Sequence, residues 1–311
     1  MKSATNIVLA DGSVNTWERA IYAFLAEKQR RSGSMRTVNG YAGMLRHFFQ
    51  STGRTPDTVA GQEVFTWAYS PGLSGQAPSS TTIGARIACL SSFYRFLIRM
   101  KMVAANPCDQ MERPKARSST PRGLTAEDVR GLLAVVPDTK VGLRDRAIIL
   151  TLVLTGRRRS EVLNLTAGDI VEENGSAFYT YRGKGGKTGR RELPRPSLDA
   201  ISKALRAWGK SMDSMGPSES IWPSGQATVG LTSGTFYGHL QAYLKRARLP
   251  ASGVHIFRHT AAKLRREAGE SVEEVSSFLD HSSLAVTSVY LKRLEGQEDR
   301  SWSKVAEAIG V

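Results

Sequence analysis

Cysteine is scarce in this sequence: Cys89 and Cys108 are the only two among 311 residues, and neither lies in a Cys-x-x-Cys motif or in a cluster with histidine. This scarcity excludes a zinc site or a disulfide framework as the basis of the fold. Long apolar runs are also missing, since no stretch approaches the roughly 18 residues of a membrane-spanning helix, and the apolar stretch within residues 1–10 is too short for a signal peptide. We therefore expect a cytoplasmic protein of a reducing compartment, without a metal site.

Acidic residues are few relative to basic ones. The chain has 28 Asp and Glu against 43 Lys and Arg, which gives a formal net charge of +15. Both halves of the sequence are basic, and such an excess favours a polyanionic partner, because neutralisation of phosphates by Lys and Arg supplies much of the affinity for nucleic acid. The composition therefore predicts a protein that binds double-stranded DNA and associates with the nucleoid.

Turn-forming residues divide the sequence into two predicted domains. Between residues 14 and 103 apolar residues recur at helical spacing, which predicts four or five helices, one of them with Ser34 as its N-cap. Residues 105–123 contain three prolines and few large apolar groups, a pattern typical of an extended basic linker. The predicted boundaries are 1–104 for a helical DNA-binding domain, 105–123 for the linker and 124–311 for a second domain.

The second predicted domain combines helices with a small antiparallel sheet. Thr125 and Asp128 have the spacing of a capping box, and residues 143–155 form a strongly apolar helical stretch. Residues 177–181 and 191–194 are predicted as two short strands around the Gly-rich turn 183–189. Further helices are predicted near 197–210, 234–247, 255–268, 272–279, 284–292 and 299–309. The fold class is therefore mainly α with a small antiparallel sheet: a helical domain followed by an α+β domain.

Six polar residues are of the kinds needed to break and reseal a phosphodiester without a metal. They are Arg158, Lys184, His255, Arg258, His281 and Tyr290. His255 and Arg258 lie three residues apart, so on a helix both can face one phosphate, and the guanidinium fork matches two phosphate oxygens. Glu161 can hold one guanidinium of the run Arg157–Arg159 in position, and the tip of the hairpin around the Gly-rich turn can present either Lys184 or Lys187 to DNA. Further DNA contacts are predicted for Arg36, Arg86, Arg95, Arg157, Arg159 and Lys187.

These residues resemble the active site of the tyrosine recombinase, or phage integrase, family, and in particular its simple Xer-like members. The matching motifs are Thr155-Gly-x-Arg-x-Ser-Glu161, Gly183-Lys-Gly185, His255-x-x-Arg-His259 and Leu279-x-His281, with Tyr290 nine residues after His281. Their order matches as well as their residue types. The resemblance implies a helical core-binding (SAM-like) domain and a catalytic domain that together form a C-shaped clamp on DNA.

The resemblance also implies a role for each residue. Tyr290 would attack the scissile phosphate and form a 3′-phosphotyrosyl bond, and recombination would proceed through a Holliday junction. Arg158, Arg258 and His281 would stabilise the charge on the non-bridging oxygens. His255 is the expected general base and Lys184 the expected acid for the 5′-oxygen. The bond energy is kept in the protein–DNA ester, so no ATP, metal or other cofactor is expected.

Three departures from the family pattern stand out. Asp280 occupies a position where the family usually has glycine before the second histidine. Arg157 and Arg159 flank the catalytic arginine where apolar residues are common, and extra DNA contacts would explain them. The residues after Tyr290 are Leu-Lys-Arg, without the histidine that is frequent two positions on. None of these departures removes a catalytic group.

The sequence leaves several alternatives open. A type IB topoisomerase shares the tyrosine chemistry but relaxes supercoils as a monomer, and a non-catalytic DNA-binding protein could keep the fold. For a recombinase we expect a homotetramer on two synapsed DNA sites. Trp302, Val305 and Ile309 recur at helical spacing in the segment 301–310, which could dock on a neighbouring subunit or pack on its own domain. The DNA sequence and the biological job (integration, excision or resolution) are not specified.

Overall fold

The computed structural model of the chain describes residues 16–72, 75–114, 123–183, 188–225 and 230–280. The backbone contacts divide the chain into two compact units, Met1–Ser118 and Ser119–Val311. The helices predicted near 284–292 and 299–309 lie outside the described residues. In the described ranges no helix is long and apolar enough to cross a membrane.

In the described part of the first unit all regular secondary structure is helical. Its helices are α1 (Thr16–Ser32), α2 (Met35–Thr52), α3 (Gly61–Tyr69) and α4 (Ser80–Arg99). As predicted, Ser34 caps α2 by accepting a hydrogen bond from the backbone N–H of Thr37 at 3.4 Å. The core is aromatic: Phe24 and Phe93 meet edge to face with ring centroids 5.3 Å apart, and Phe48 meets Trp67 at 5.1 Å. These contacts hold α1, α2, α3 and α4 around one apolar centre.

The first part of the predicted linker packs on this helical unit. Asn106 is buried, and its amide nitrogen donates to the hydroxyl of Ser91 at 3.1 Å and to the carboxylate of Asp109 at 2.6 Å. Cys108 is also buried, and its backbone N–H donates to the Asn106 side chain at 3.1 Å. Residues 106–109 are therefore a hydrogen-bonded turn in the described structure and not an extended chain, because the asparagine side chain satisfies the local backbone.

The second unit places helices around a three-stranded sheet. Its helices are α5 (Ala126–Ala134), α6 (Lys140–Thr155), α7 (Arg159–Leu163), α8 (Arg195–Ala207), α9 (Ser233–Arg246), α10 (Ile256–Glu267) and α11 (Val272–Phe278). The strands β1 (Ile170–Glu173), β2 (Ser176–Arg182) and β3 (Thr188–Glu192) are antiparallel in the order β1-β2-β3. The predicted strand 177–181 lies within β2, whereas the predicted strand 191–194 shares only residues 191–192 with β3, which begins earlier. The sequence missed β1, whose burial does not alternate along the strand.

Helix α6 lies at the centre of this unit and is anchored through a buried carboxylate. Asp145 is fully buried and pairs with Arg144 at 2.9 Å. The same carboxylate accepts a hydrogen bond from the hydroxyl of Tyr243 at 2.8 Å and lies 2.7 Å from Nδ1 of His239. Both of these residues belong to α9, so the network fixes α6 against α9. The position of α6 matters because the residues that follow it carry the predicted chemistry.

Candidate active site

The turn after α6 has a conformation that favours glycine. Gly156 ends the helix with a φ of +60°, in the left-handed region that side chains rarely adopt. A Cβ at this position would also lie 2.7 Å from side-chain atoms of Leu279 and Phe278. The absence of a side chain therefore lets the end of α11 approach the turn closely. This approach brings the arginines after Gly156 next to residues 278–280.

Arg158 is held by a buried glutamate one turn further on. Glu161 accepts the backbone N–H of Arg158 at 2.9 Å and its Nη1 at 2.8 Å. The Glu161 side chain is 1% exposed, whereas that of Arg158 is 33% exposed. The carboxylate of Glu161 thus both caps α7 and orients the guanidinium of Arg158. The side chain of Arg158 remains partly exposed to solvent.

Arg258 lies in the first turn of α10 and is anchored to two backbone carbonyls. Its Nη1 donates to the carbonyl of Gly156 at 2.8 Å and its Nη2 donates to the carbonyl of Leu279. The side chain is buried, and burial together with the charges of Arg158 and Arg157 lowers its pKa to about 10. Two of its five N–H groups bind these carbonyls, so the others can bind an oxyanion.

His255 immediately precedes α10 and lies near the same guanidinium groups. The pKa of His255 is lowered from its ordinary value, first by partial desolvation of the ring and then by the charges of Arg159, Arg258 and Arg158. An imidazole with a lowered pKa is neutral near pH 7 and can accept a proton. The structure thus brings together three of the six predicted catalytic residues, Arg158, His255 and Arg258, from two parts of the chain.

Arg157 is buried and does not face solvent, so the prediction that it contacts DNA is wrong. Its side chain is 1% exposed and forms an ion pair with Asp280. It also donates to the carbonyl of Phe278, and its guanidinium lies 4.7 Å from the ring centroid of Tyr181. A buried guanidinium needs such partners, since an unpaired buried charge is costly.

Asp280 accounts for two of the departures from the family pattern at once. Its φ is +51°, a left-handed conformation that Asp adopts more readily than most residues and that glycine adopts freely. Its carboxylate accepts hydrogen bonds from Arg157, from the hydroxyl of Tyr181 and, at 2.8 Å, from Nη2 of Arg191. Partial burial alone would raise the pKa of Asp280, but these donors and the charge of Arg157 hold it below its ordinary value.

The other predicted DNA contacts have different outcomes. Arg86 donates from Nη1 to the carbonyls of Trp67, Ala68 and Ser70 at 2.7–3.1 Å. It therefore stabilises the end of α3, and because the side chain is only half-buried its DNA contact stays a prediction. Arg36 and Arg95 are exposed and Arg159 is half-buried, so these three stay predictions. Lys184, Lys187, His281 and Tyr290 lie outside the described residues.

Tyr181 and Arg191 are the residues of this region that the sequence did not predict. Both belong to the hairpin of β2 and β3, and an alternating strand pattern gives no sign that they form hydrogen bonds to a residue 99 and 89 positions later. The signal was available elsewhere, because Arg157 and Asp280 are departures of opposite charge. Among the described residues, no group of three or more His, Cys, Asp or Glu is placed to hold a metal ion.

Comparison with known proteins identifies the class. A model of the phage integrase family matches residues 122–296. The tyrosine recombinase XerD of Rhizobium meliloti (strain 1021) is 28% identical over 279 residues, covering 85% of this chain and 87% of that protein. The tyrosine recombinase XerA of Pyrococcus furiosus is 34% identical over 185 residues, covering 59% of this chain and 62% of that protein.

Among solved structures, the XerH site-specific recombinase bound to a palindromic difH substrate, in a post-cleavage complex, superimposes with a TM-score of 0.66 at 19% identity. The match covers 96% of this chain and 85% of that one and, at this identity, concerns the fold. Fold, motifs and relatives together define a tyrosine site-specific recombinase. Since the family model matches more than half of the sequence, the chain belongs to the phage integrase family. The resemblance predicted from the motifs is confirmed.

Proposed function

We propose that this protein cleaves and rejoins double-stranded DNA through a 3′-phosphotyrosyl intermediate on Tyr290 and a Holliday junction. The observation that carries the proposal is the convergence of Arg158, His255 and Arg258 beside the turn after α6. Besides partial desolvation, the charges of Arg159, Arg258 and Arg158 lower the pKa of His255, which indicates a strongly positive site that suits the charge developing on a phosphate during attack. The named relatives are recombinases, so neither a topoisomerase nor a non-catalytic DNA-binding protein is favoured.

The proposed mechanism assigns one task to each group. Arg258 and Arg158 bind the non-bridging oxygens, with His281 as a further donor. His255, neutral because its pKa is lowered, accepts the proton of the Tyr290 hydroxyl. Lys184, with Lys187 as the alternative, protonates the departing 5′-oxygen. The covalent ester preserves the bond energy, so the reaction requires neither ATP nor a metal.

A suicide substrate tests this proposal directly. In a duplex with a nick close to the cleavage position, cleavage releases a short fragment that carries the free 5′-hydroxyl. This fragment diffuses away and cannot religate, so the covalent protein–DNA complex accumulates and is seen as a shifted band on a denaturing gel. We expect this complex with the unmodified protein, also in EDTA, and none with Tyr290→Phe. A complex formed by Tyr290→Phe, or a strict need for a divalent metal, would refute the mechanism.

The proposed assembly is a homotetramer on two synapsed sites in the nucleoid, with the segment 301–310 docked on a neighbouring subunit. The recurrence of Trp302, Val305 and Ile309 on one helical face supports this docking. Deleting residues 299–311 should leave binding of a single site nearly unchanged and prevent synapsis, as measured by gel-shift and sedimentation. Normal synapsis by the truncated protein would contradict docking in trans.

A further inference from the structure

The carboxylate of Asp280 joins the end of α11 to both long strands of the sheet. Its donors are Arg157 after α6, Tyr181 on β2 and Arg191 on β3. Arg191 also donates to the carbonyl of Ser277, at 3.2 Å. We call these four residues, Asp280 with Arg157, Tyr181 and Arg191, the Asp280 clasp. Every member lies in the described part of the second unit.

The hairpin is shaped so that Tyr181 can reach this carboxylate. Tyr181 pairs in register with Gly189 of the neighbouring strand. A Cβ on Gly189 would lie 2.4 Å from the hydroxyl and the ring of Tyr181. The missing side chain therefore gives the tyrosine ring the space that it occupies. The contact with Asp280 depends on this local feature of β3 as well as on the donor itself.

We propose that the Asp280 clasp positions the β2–β3 hairpin for the leaving-group step of DNA cleavage. This inference rests on the proposed function, in which Lys184 protonates the 5′-oxygen. Strand β2 ends at Arg182 and β3 begins at Thr188, so Lys184 lies in the short connection between them. The clasp holds β2 at Tyr181, next to this connection, and β3 at Arg191. Tyr181 and Arg191 act through that lysine and are positioning residues.

The exposure of the ion pair between Arg191 and Asp280 supports a positioning role over a stabilising one for this donor, whereas the second hairpin donor, Tyr181, is buried. The side chain of Arg191 is 44% exposed and that of Asp280 is 33% exposed. Ion pairs with this much solvent contact add little to folding stability. The bond between Arg157 and Asp280 is different, because Arg157 is buried. Substituting only Tyr181 and Arg191 therefore distinguishes the contribution of the hairpin donors from that of the buried pair of Arg157 and Asp280.

The chemistry of cleavage offers a selective measurement. The oxygen of Tyr290 forms a bond to phosphorus, the bond from phosphorus to the 5′-oxygen breaks, and the 5′-oxygen keeps the electron pair and takes a proton from Lys184. The two leaving groups differ in how readily they carry a negative charge: a thiol has a pKa of about 8.5, whereas a hydroxyl such as that of water has one of about 15.7. A 5′-sulfur in the bridging position therefore leaves as a thiolate and needs no acid. It removes the step that depends on Lys184 and leaves attack and charge stabilisation in place.

The experiment compares covalent-complex formation, at saturating DNA, on nicked substrates with a 5′-bridging oxygen or sulfur. The test variant is Tyr181→Phe with Arg191→Met, which removes both hairpin donors and keeps the pair of Arg157 and Asp280. We expect it to be roughly tenfold slower than the parent on the oxygen substrate, as a partial loss of general-acid catalysis, and to match the parent on the sulfur substrate.

Three controls complete the design. Arg190→Met removes a guanidinium of β3 that pairs with Glu173 and not with Asp280, and it should cleave the oxygen substrate at the parental rate. Lys184→Ala should be rescued by sulfur, whereas Arg258→Lys should stay slow on both substrates. Thermal denaturation of each variant monitors folding.

Two sets of results would overturn the inference. An equal deficit of the double variant on both substrates, or no deficit on the oxygen substrate, would show that the clasp does not act on the leaving group. A parent protein that forms no covalent complex with either substrate would instead refute the proposed function, and this inference with it. Covalent-complex formation by the parent protein therefore distinguishes a failure of the proposed function from a failure of this inference alone.

Discussion

The substitution Arg258→Lys separates the charge of this side chain from its geometry. Lysine keeps the positive charge but concentrates its three donors at one nitrogen, whereas the arginine fork spreads five donors over a plane. In the structure two donors of Arg258 are already bound to the carbonyls of Gly156 and Leu279. A lysine cannot bind both carbonyls and still present two N–H groups to a phosphate.

The expected magnitudes follow from that count of donors. Loss of one donor to the developing oxyanion lowers the cleavage rate by about 10²–10³-fold. One of the two buried carbonyls also loses its partner, which costs about 1–3 kcal/mol in the free energy of unfolding. The affinity for DNA should change by less than about threefold, because the charge that faces the phosphates is retained.

The assay is single-turnover cleavage of the nicked substrate at saturating protein, at a temperature well below the melting point of the variant. Affinity is measured separately by gel-shift. Arg266→Lys is the matched control, because Arg266 lies on the same helix and donates to the carbonyl of Glu270. A rate for Arg258→Lys within about fivefold of the parent would refute the reasoning that bidentate geometry is required. So would a loss of affinity that accounts for the whole defect.

Two further predictions concern the electrostatics of the site. The pKa of His255 is lowered by partial desolvation and by Arg159, so cleavage should decline only as the pH falls through a value below 6.5, where the imidazole becomes protonated. In Arg159→Gln that decline should move to higher pH, as measured by the pH dependence of the single-turnover rate, and an unchanged profile would contradict it. Asp280→Ala leaves the buried Arg157 without its carboxylate and should lower the free energy of unfolding by about 3 kcal/mol in urea titrations. The double variant Arg157→Met with Asp280→Gly should recover most of this loss, whereas losses that simply add would show that the two residues are independent.

Local features of the fold were predictable from the sequence because their causes are local. Ser34 caps α2, and Thr125 forms the predicted capping box with Asp128 at the start of α5. The apolar stretch predicted as a helix at 143–155 belongs to α6, which begins three residues earlier at Lys140, with Thr139 as its N-cap. Capping residues and apolar spacing act within one or two turns of a helix, so the helices that they specify can be predicted without tertiary information.

The role of Arg157 could not be predicted in the same way. In the sequence it stands in a run of three arginines, and such runs are usually solvated. Its carboxylate partner is 123 residues away, and the burial that makes this pairing necessary arises only when α11 packs against the turn at Gly156. Strand β1 escaped prediction for a related reason, because Val171 is 46% exposed and its environment depends on pairing with β2.

The carbonyl groups at the end of α11 have a consequence for the timing of synthesis. Ser277, Phe278 and Leu279 accept hydrogen bonds from arginines 86, 121 and 21 residues earlier in the chain. A ribosome completes all three arginines before it reaches residue 277. A growing or prematurely terminated chain is therefore already basic, but its arginines lack the acceptors that arrange them. The arrangement of these three arginines thus arises only after residue 279 has been synthesised.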